Sequence, residues 1–551
     1  MSTTEPPGTD DPRRREARGL AVGLMLVAIA LTAVVWVLAA HRSHDILTVR
    51  HLQNAVFGPQ PVLPGPVGTT RAQIERLRSI EGPLLLESVL PDQAGVLWLF
   101  ALVVCLIGFA GPPGRAELAG LLALGLLLFD ITSDLSRLDD PVSWQLMDWT
   151  FTAIVALSVA LAGAAIFRSR RHAAGLWRPP VTAPTLRAAA VTLLALSLAI
   201  TLIRFPDDAG FYTNLGAQRL RERGWFPYGD PVLSGSAAAG YGPVLFLVHL
   251  PFQALLDPTV PNPASPEYLQ IRYGHNYLLP PAQASQLATA SLHLLAVGAL
   301  WLIVRRQVGS AAAWGVLALY LASPFVLGVG GVHESIGGVT FISHVAPTAL
   351  ALLALALEAR PLWAGFALAA SVATVFAPLF FVPAWVGYYA HDRRALARFV
   401  AGLALAAVII GGPVLWRTRP IPGRSVIATV VHDTVGHHQG ADMYGQSPFG
   451  FWGGRDGWRA RLRNELVPGV SVSSPMFAAA LAFMVSGAWL GRGRTPRQLA
   501  ALMAAMGIAS QLWKIHGTGV YVNWYLPFLL IGIYGADGVP GPSAPVQETH
   551  R

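Results

Sequence analysis

Runs of roughly 15 to 22 apolar residues recur along the chain and are separated by short polar or basic stretches. A helix needs about 20 apolar residues to cross the hydrocarbon core of a bilayer. Only 13% of the residues are charged, compared with about 25% in soluble domains. The sequence therefore predicts an all-α polytopic membrane protein with about 14 transmembrane helices and two large external loops.

Basic residues fall in small groups between the apolar runs. The formal net charge is +9, nearly all basic residues are arginine, and Lys514 is the single lysine. Because the arginines are spaced along the chain, the pattern is typical of loops that set membrane orientation and argues against nucleic-acid binding. The bias toward arginine, alanine and glycine suggests a GC-rich bacterial genome, and we expect a multi-pass protein of the bacterial inner membrane. The single cysteine, Cys105, excludes a disulfide within the chain.

The first apolar run, residues 20–40, follows a polar stretch that contains four arginines. This run is longer than the core of a signal peptide, about 7 to 15 residues, so it predicts an uncleaved helix with a cytoplasmic N-terminus. We expect cytoplasmic tails over 1–19 and 537–551, a four-helix N-terminal region over 20–187, and a larger membrane module over 188–536.

The remaining apolar runs predict the other membrane helices and their orientation. Basic groups at 168–178, 305–306, 391–394 and 492–497 should be cytoplasmic, which places the loops 204–286 and 416–474 outside and both termini inside. The apolar piece 244–256 is short for a span, so it should dip into the bilayer or lie along its surface. The predicted spans are 20–40, 94–110, 118–131, 149–167, 188–203, 287–304, 311–329, 339–357, 399–415, 475–490, 499–512 and 521–534.

The stretch 362–389 is interrupted by prolines. We interpret it as two short helices that meet near residues 376–378. One long tilted helix is the alternative, but it would place the basic group 391–394 outside and invert every later segment.

The external side collects nearly all of the unusual polar residues. Asp207 and Asp208 follow an apolar run directly, where a carboxylate can stay ionised without the cost of burial in hydrocarbon. These two carboxylates are the catalytic candidates, and the alternative is that they only open the next helix as capping residues. Arg204 and Lys514 are external cations that can hold a phosphate, and the alternative for Lys514 is a side chain that snorkels from a helix end. The other candidates for substrate contact are Tyr212, Tyr228, Tyr241, His333, Glu334, Gln446 and His516.

Two histidine-containing pairs in the loops are weak metal candidates. They are His333 with Glu334, and His437 with His438. Adjacent side chains point apart on regular structure, and the sequence shows no third ligand at fixed spacing. We therefore expect no metal and no other cofactor.

The motif Asp208-Ala-Gly-Phe-Tyr212, followed by Gly224, Pro227-Tyr228 and Tyr241-Gly242-Pro243, resembles the first external loop of GT-C superfamily glycosyltransferases. It is similar above all to the bacterial mannosyl- and arabinosyltransferases that use polyprenyl-phosphate sugars. Three later stretches extend the resemblance over residues 188–536: Ala359-Arg360-Pro361 with Ala364-Gly365, Gln446-Ser447-Pro448-Phe449-Gly450, and Asn523-Trp524-Tyr525-Leu526-Pro527.

This resemblance implies an inverting sugar transfer from a polyprenyl phosphate donor to a lipid or cell-envelope glycan acceptor at the outer face. Asp208 carries over as the general base because it stands four residues before Tyr212, and Asp207 is the fallback. Adjacent helical residues point about 100° apart, so one of the two should face the site.

The chain departs from the family pattern at two places. Tyr241-Gly242-Pro243 replaces Tyr-Pro-Pro, and the lysine often found before Pro378 is absent, which leaves one phosphate contact to Lys514. Three other readings remain: an O-antigen ligase or polymerase, a lipid or solute transporter, and an inactive scaffold on the same fold. A transporter should carry ionisable residues inside its spans, whereas here they cluster at the external ends.

Overall fold

The computed structural model describes residues 99–104, 115–135, 141–170, 181–203, 208–230, 233, 239–256, 282–328, 338–436, 473–512 and 521–535. Over these residues the protein is all-helical and contains no strand, which confirms the predicted helical class for this part of the chain. The predicted span 20–40, most of 94–110 and both predicted tails lie outside the described residues.

The helices follow one another with short connections. In chain order they are α1 (Arg115–Leu135), α2 (Pro141–Arg170), α3 (Ala183–Ile203), α4 (Asp208–Arg223), α5 (Pro243–Leu247), α6 (Leu250–Leu255), α7 (Ala282–Gln307), α8 (Ser310–Ala322), α9 (Pro324–Leu327), α10 (Ile342–Ala356), α11 (Pro361–Val372), α12 (Val382–Tyr389), α13 (Arg393–Ala406), α14 (Gly412–Trp416), α15 (Val426–Val431), α16 (Ser473–Leu490), α17 (Pro496–Leu512) and α18 (Leu526–Tyr534).

Four helical segments are long and apolar enough to cross a membrane. They are Thr152–Ser169, Ala183–Leu202, Gln283–Gln307 and Arg393–Trp416. Other apolar helices, among them α8, α10, α11 and α16, are shorter. The membrane character predicted from the sequence is thus supported by four helices, while the count of about 14 spans stays a prediction.

One hydrophobic core runs through the described helices, from Phe100 to Tyr534. The predicted N-terminal region contributes to this core. Within α2, Ser158 Oγ lies 2.8 Å from the hydroxyl of Tyr525, and the backbone carbonyl of Ser169 accepts a hydrogen bond from Gln498. The described part of that region therefore packs directly on the module that carries the motifs.

One end of the helix assembly is rich in arginine, and we call it the basic end. Arg306 donates to the Ala356 carbonyl at 2.8 Å, which joins the last turns of α7 and α10. Arg497 donates to the Gly532 carbonyl at 3.1 Å, which joins α17 to α18. Arg168 forms an ion pair with Glu117 at the same end. Arginines that donate to helix C-terminal carbonyls also interact favourably with the negative end of the helix dipole.

The proline-broken stretch forms two short helices, as predicted. α11 ends at Val372, a 3₁₀ turn covers Ala377–Phe381, and α12 follows. The hydroxyl of Tyr389 donates to the Glu358 carbonyl at 2.6 Å, so the two outer ends of this helix pair lie side by side at the basic end. The alternative of one long tilted helix is therefore wrong.

α13 and α14 join through a π turn, Ala407–Gly411, into one helical segment over 393–416. The segment has 24 residues, so it is about 36 Å long. It starts just after Asp392 at the basic end and ends at Trp416 on the opposite end of the assembly, which we call the far end. Much of its surface is exposed, and large apolar side chains such as Val408 and Ile409 are more than half exposed among the described residues.

Candidate functional site

α4, which begins at Asp208, lies at the far end. Gln253 of α6 donates to the backbone carbonyl of Asn214 at 2.8 Å, and His249 lies 3.3 Å from Ser285 in the first turn of α7. α7 has 26 residues, so its first turn is about 39 Å from its last turn at the basic end. The helix that follows α3 is therefore held at the end remote from the arginine-rich one.

Close packing fixes α4 against α5 and α6. A side chain at Gly216 would overlap the ring of Phe246, so the glycine allows the two helices to approach. Arg221 donates to the Gln253 carbonyl at 2.6 Å. Tyr212 is half-buried and packs near Leu215 and Leu233. Asp208 is the first residue of α4, and Tyr212 follows four residues later on the same helix.

The turn after α4 is held by the start of the second large loop. The Phe226 amide donates to the Arg417 carbonyl at 2.8 Å, and the Gly229 amide donates to Asp433 at 2.7 Å. Asp433 is fully buried, and its other carboxylate oxygen lies 3.0 Å from His432 Nδ1. A buried carboxylate is stable only when hydrogen-bonded in this way. The two predicted external loops therefore meet at residues 226–229.

Tyr228 is part of the support for the site and is not exposed to it. Its side chain is fully buried against Phe226 and Phe246, with ring centroids 6.0 and 5.8 Å away. Burial raises the pKa of Tyr228 well above its ordinary value, and the neighbouring Asp433 raises this pKa further. The protonated hydroxyl donates to the Tyr241 carbonyl at 2.8 Å. Tyr228 therefore positions the backbone at Tyr241.

The Tyr241-Gly242-Pro243 stretch docks on the break between α11 and the 3₁₀ turn. The Gly242 amide donates to the Thr374 carbonyl at 2.9 Å, and the Val244 amide donates to the Ala373 carbonyl at 3.0 Å. A Cβ at Gly242 would overlap these same carbonyls. Glycine at this position permits both the close approach and the amide bond, whereas proline would supply no amide hydrogen.

A third motif docks on α10 because of a proline inside that helix. Pro347 has no amide hydrogen, which removes the usual helical partner of the Ser343 carbonyl. The indole of Trp524 donates to this carbonyl at 3.0 Å, and Thr348 donates to the carbonyl of Asn523 at 3.1 Å. The helix defect thus holds the turn Tyr521–Trp524, which carries the start of the Asn523-Trp524-Tyr525 motif.

Four of the motif-bearing elements share one neighbour. α4, α5, α11 and the turn Tyr521–Trp524 each contact α10. Beside this junction is a small cavity between α10, the 3₁₀ turn and α17. Its lining is mostly apolar and consists of Pro347, Thr348, Ala377, Pro378, Phe381, Gly507, Ser510 and Trp524. With a volume of about 10 Å³, the cavity is far smaller than a ligand pocket of roughly 300 to 1,000 Å³, so it is a packing gap at the junction.

The predicted site residues fall into two groups. Asp208 opens α4, and Tyr212, Tyr228 and Tyr241 lie within 35 residues of it along the described chain, as placed above. The others lie outside the described residues: Arg204, Asp207, His333, Glu334, Gln446, Lys514 and His516. Among the described residues, no group of three or more His, Cys, Asp or Glu side chains is placed to hold a metal ion.

Sequence reasoning did not identify the partners that build the far end. Nothing in the sequence links Asp433 to Gly229. Arg417 and Arg419 carry a signal of their own, because they lie in a predicted external loop although basic residues usually gather on the cytoplasmic side. Compared with known proteins, the chain matches no family model, no curated protein and no solved structure.

Proposed function

We propose that this protein is a membrane glycosyltransferase that moves a sugar from a polyprenyl phosphate donor to a lipid or cell-envelope glycan acceptor at the outer face of a bacterial inner membrane. The observation that carries the proposal is the junction around α10. Elements from three of the four stretches that resemble the polyprenyl-phosphate-sugar transferases contact this one helix: α4 and α5 from the first stretch, α11 from the second and the turn Tyr521–Trp524 from the last.

The position of Asp208 supports its role as general base. It follows α3, one of the four candidate spans, after only four residues. In this mechanism the Asp208 carboxylate takes the proton of the acceptor hydroxyl while that oxygen attacks the anomeric carbon. The bond from this carbon to the phosphate oxygen breaks, the configuration inverts, and the polyprenyl phosphate leaves. Arg204 and Lys514 are proposed to stabilise the charge on the leaving phosphate.

The distribution of charge in the four candidate spans favours an enzyme over a transporter. These spans contain no acidic residue, and their arginines are confined to the first or last two turns. A transport path through a bundle usually carries ionisable groups near the middle of the bilayer. In this chain the arginines of these spans lie at the helix ends, and the histidine near the middle of one span, His293, lies 2.9 Å from Ser197 inside the helix packing.

The test is sugar transfer by membranes that contain the full chain, supplied with radiolabelled polyprenyl-phosphate sugars. We expect Asp208→Asn to lower the transfer rate by about 10²- to 10⁴-fold, the usual contribution of a general base. Asp207→Asn is the matched control, since it removes the adjacent carboxylate, and it should lose far less activity. Equal activity of Asp208→Asn and the unmodified protein would remove Asp208 as the base. No transfer by the unmodified protein from any such donor would overturn the proposed function.

A further inference from the structure

The segment 415–431 at the far end has an unusual surface, which we call the interfacial arm. It contains three exposed arginines, Arg417, Arg419 and Arg424, and the sequence has no acidic residue anywhere between positions 412 and 431. It also exposes large apolar side chains: Leu415 is 50% exposed, Trp416 76% and Ile427 63%. Exposed cations and exposed apolar groups therefore alternate along one short piece of chain.

The arm lies where the headgroup layer of a bilayer would be. The helical segment 393–416 has 24 residues, or about 36 Å, compared with a hydrocarbon core of about 30 Å. With its first arginines at one interface, its last residue, Trp416, falls at the other, where tryptophan is enriched. Ile427 and Val431 are one turn apart on α15, and both are exposed, as expected for a helix lying on a lipid surface.

Two of the arginines are held in place by aromatic rings. The Arg417 guanidinium lies 4.9 Å from the ring centroid of Trp416, and the Arg419 guanidinium lies 5.0 Å from that of Trp225. Arg417 also donates to the Gly224 carbonyl at 3.3 Å. A guanidinium stacked on a ring keeps its edge free for other partners and loses less conformational freedom when it binds a phosphate.

We propose that the interfacial arm binds the headgroup of an anionic phospholipid, with the phosphate between Arg417 and Arg419 and the acyl chains along the exposed apolar face of 393–416. An anionic headgroup is favoured over a zwitterionic one because the arm offers no carboxylate to a choline ammonium. The bound lipid stabilises the contact between residues 226–229 and Arg417, and so the turn that supports Tyr241. This inference is independent of the proposed sugar transfer.

The experiment is native mass spectrometry of the full chain in detergent, titrated with phosphatidylglycerol or with phosphatidylcholine. The unmodified protein should retain phosphatidylglycerol in preference to phosphatidylcholine. Each arginine at a lipid surface adds about fivefold to the affinity for an anionic lipid, so the double variant Arg417→Gln/Arg419→Gln should weaken the tightest phosphatidylglycerol site by about 10-fold or more.

A matched control removes the same charge from the other end of the same helical segment. Arg393→Gln/Arg394→Gln should weaken phosphatidylglycerol binding by less than about threefold, because Asp392 caps that end and offsets part of its charge. A third variant, Arg419→Gln/Arg424→Gln, leaves the Arg417 to Gly224 bond intact and should weaken binding even if the first variant is unstable. Equal losses in the first and control variants, or unchanged binding in the first and third, would overturn the proposal.

Discussion

Gly229 and Gly423 are both glycines with positive φ, at +68° and +79°, but only Gly229 touches the opposite loop. A Cβ at Gly229 would overlap the Arg419 carbonyl, whereas a Cβ at Gly423 meets open space among the described residues. Comparing substitutions at the two positions therefore separates the cost of a positive φ for a residue with a side chain from the cost of the overlap with the Arg419 carbonyl.

Substituting each glycine with alanine tests this contact. Gly423→Ala should lower the free energy of unfolding by about 1 kcal/mol, the cost of a left-handed backbone for a residue with a Cβ. Gly229→Ala should lower it by about 1 to 3 kcal/mol more, because the overlap with the Arg419 carbonyl is added to the same backbone cost. The measurement is thermal unfolding of both variants in the same detergent. Similar losses in the two variants would mean that residues 226–229 and the Arg419 backbone are not in contact.

At the scale of helix packing, the close contact between α11 and α13 depends on two glycines. A Cβ at Gly402 would overlap the Leu362 carbonyl, and a Cβ at Gly365 would overlap the Phe399 carbonyl. Reciprocal small residues of this kind allow membrane helices to pack backbone against backbone, where dispersion contacts and not the hydrophobic effect supply the stability. This pair of glycines holds the proline-broken stretch against the lipid-exposed segment 393–416.

Gly402→Ala should therefore destabilise the protein by about 1 to 3 kcal/mol. Gly298→Ala in α7 is the matched control, since its Cβ meets no described atom within 4 Å. That substitution should be neutral or stabilise by up to about 1 kcal/mol, because alanine is a better helix former. The readout is the temperature at which each variant leaves the monodisperse peak in size-exclusion chromatography. A Gly402→Ala variant as stable as Gly298→Ala would contradict the close approach.

Some elements could be predicted from the sequence and others could not. Proline spacing predicted the break between α11 and α12, and length alone predicted that 244–256 would not form a full span, where the structure has two short helices. Gly411, Gly412 and Pro413 mark a helix distortion near the π turn at Ala407–Gly411, but they do not specify a π turn. The partners of Gly229, Gly242 and Trp524 were also hidden, because hydrogen bonds to backbone carbonyls carry no residue signature.

For the candidate site, the sequence predicted the motif residues but not what supports them. Tyr228 lies in a predicted external loop and in the resembling motif, which predicts substrate contact, yet its side chain is buried against Phe246 and the second loop. Long-range packing of this kind is not readable from local pattern. Pro347 is a partial exception, because a proline within a helical run always leaves a carbonyl for another donor.

At the scale of the whole molecule, the basic end and the far end predict opposite sides of a membrane. The basic end gathers Arg305 and Arg306 with the groups at 393–394 and 492–494, so the positive-inside tendency places it in the cytoplasm. The arginines of the interfacial arm are then external. If the interfacial arm binds a lipid headgroup as proposed, its arginines serve to bind the phosphate and do not set the orientation of the protein.

Cysteine labelling checks this orientation directly. Because Cys105 is the single natural cysteine, a Cys105→Ala background can carry one new thiol at a time. Arg424→Cys lies on the interfacial arm and Arg492→Cys at the basic end, and both positions are exposed. A membrane-impermeant maleimide should label Arg424→Cys in intact cells and Arg492→Cys only after permeabilisation. The reverse pattern would place Asp208 on the cytoplasmic side, where an outer-face donor cannot reach it, and would overturn the proposed transfer while leaving the lipid-binding inference to its own test.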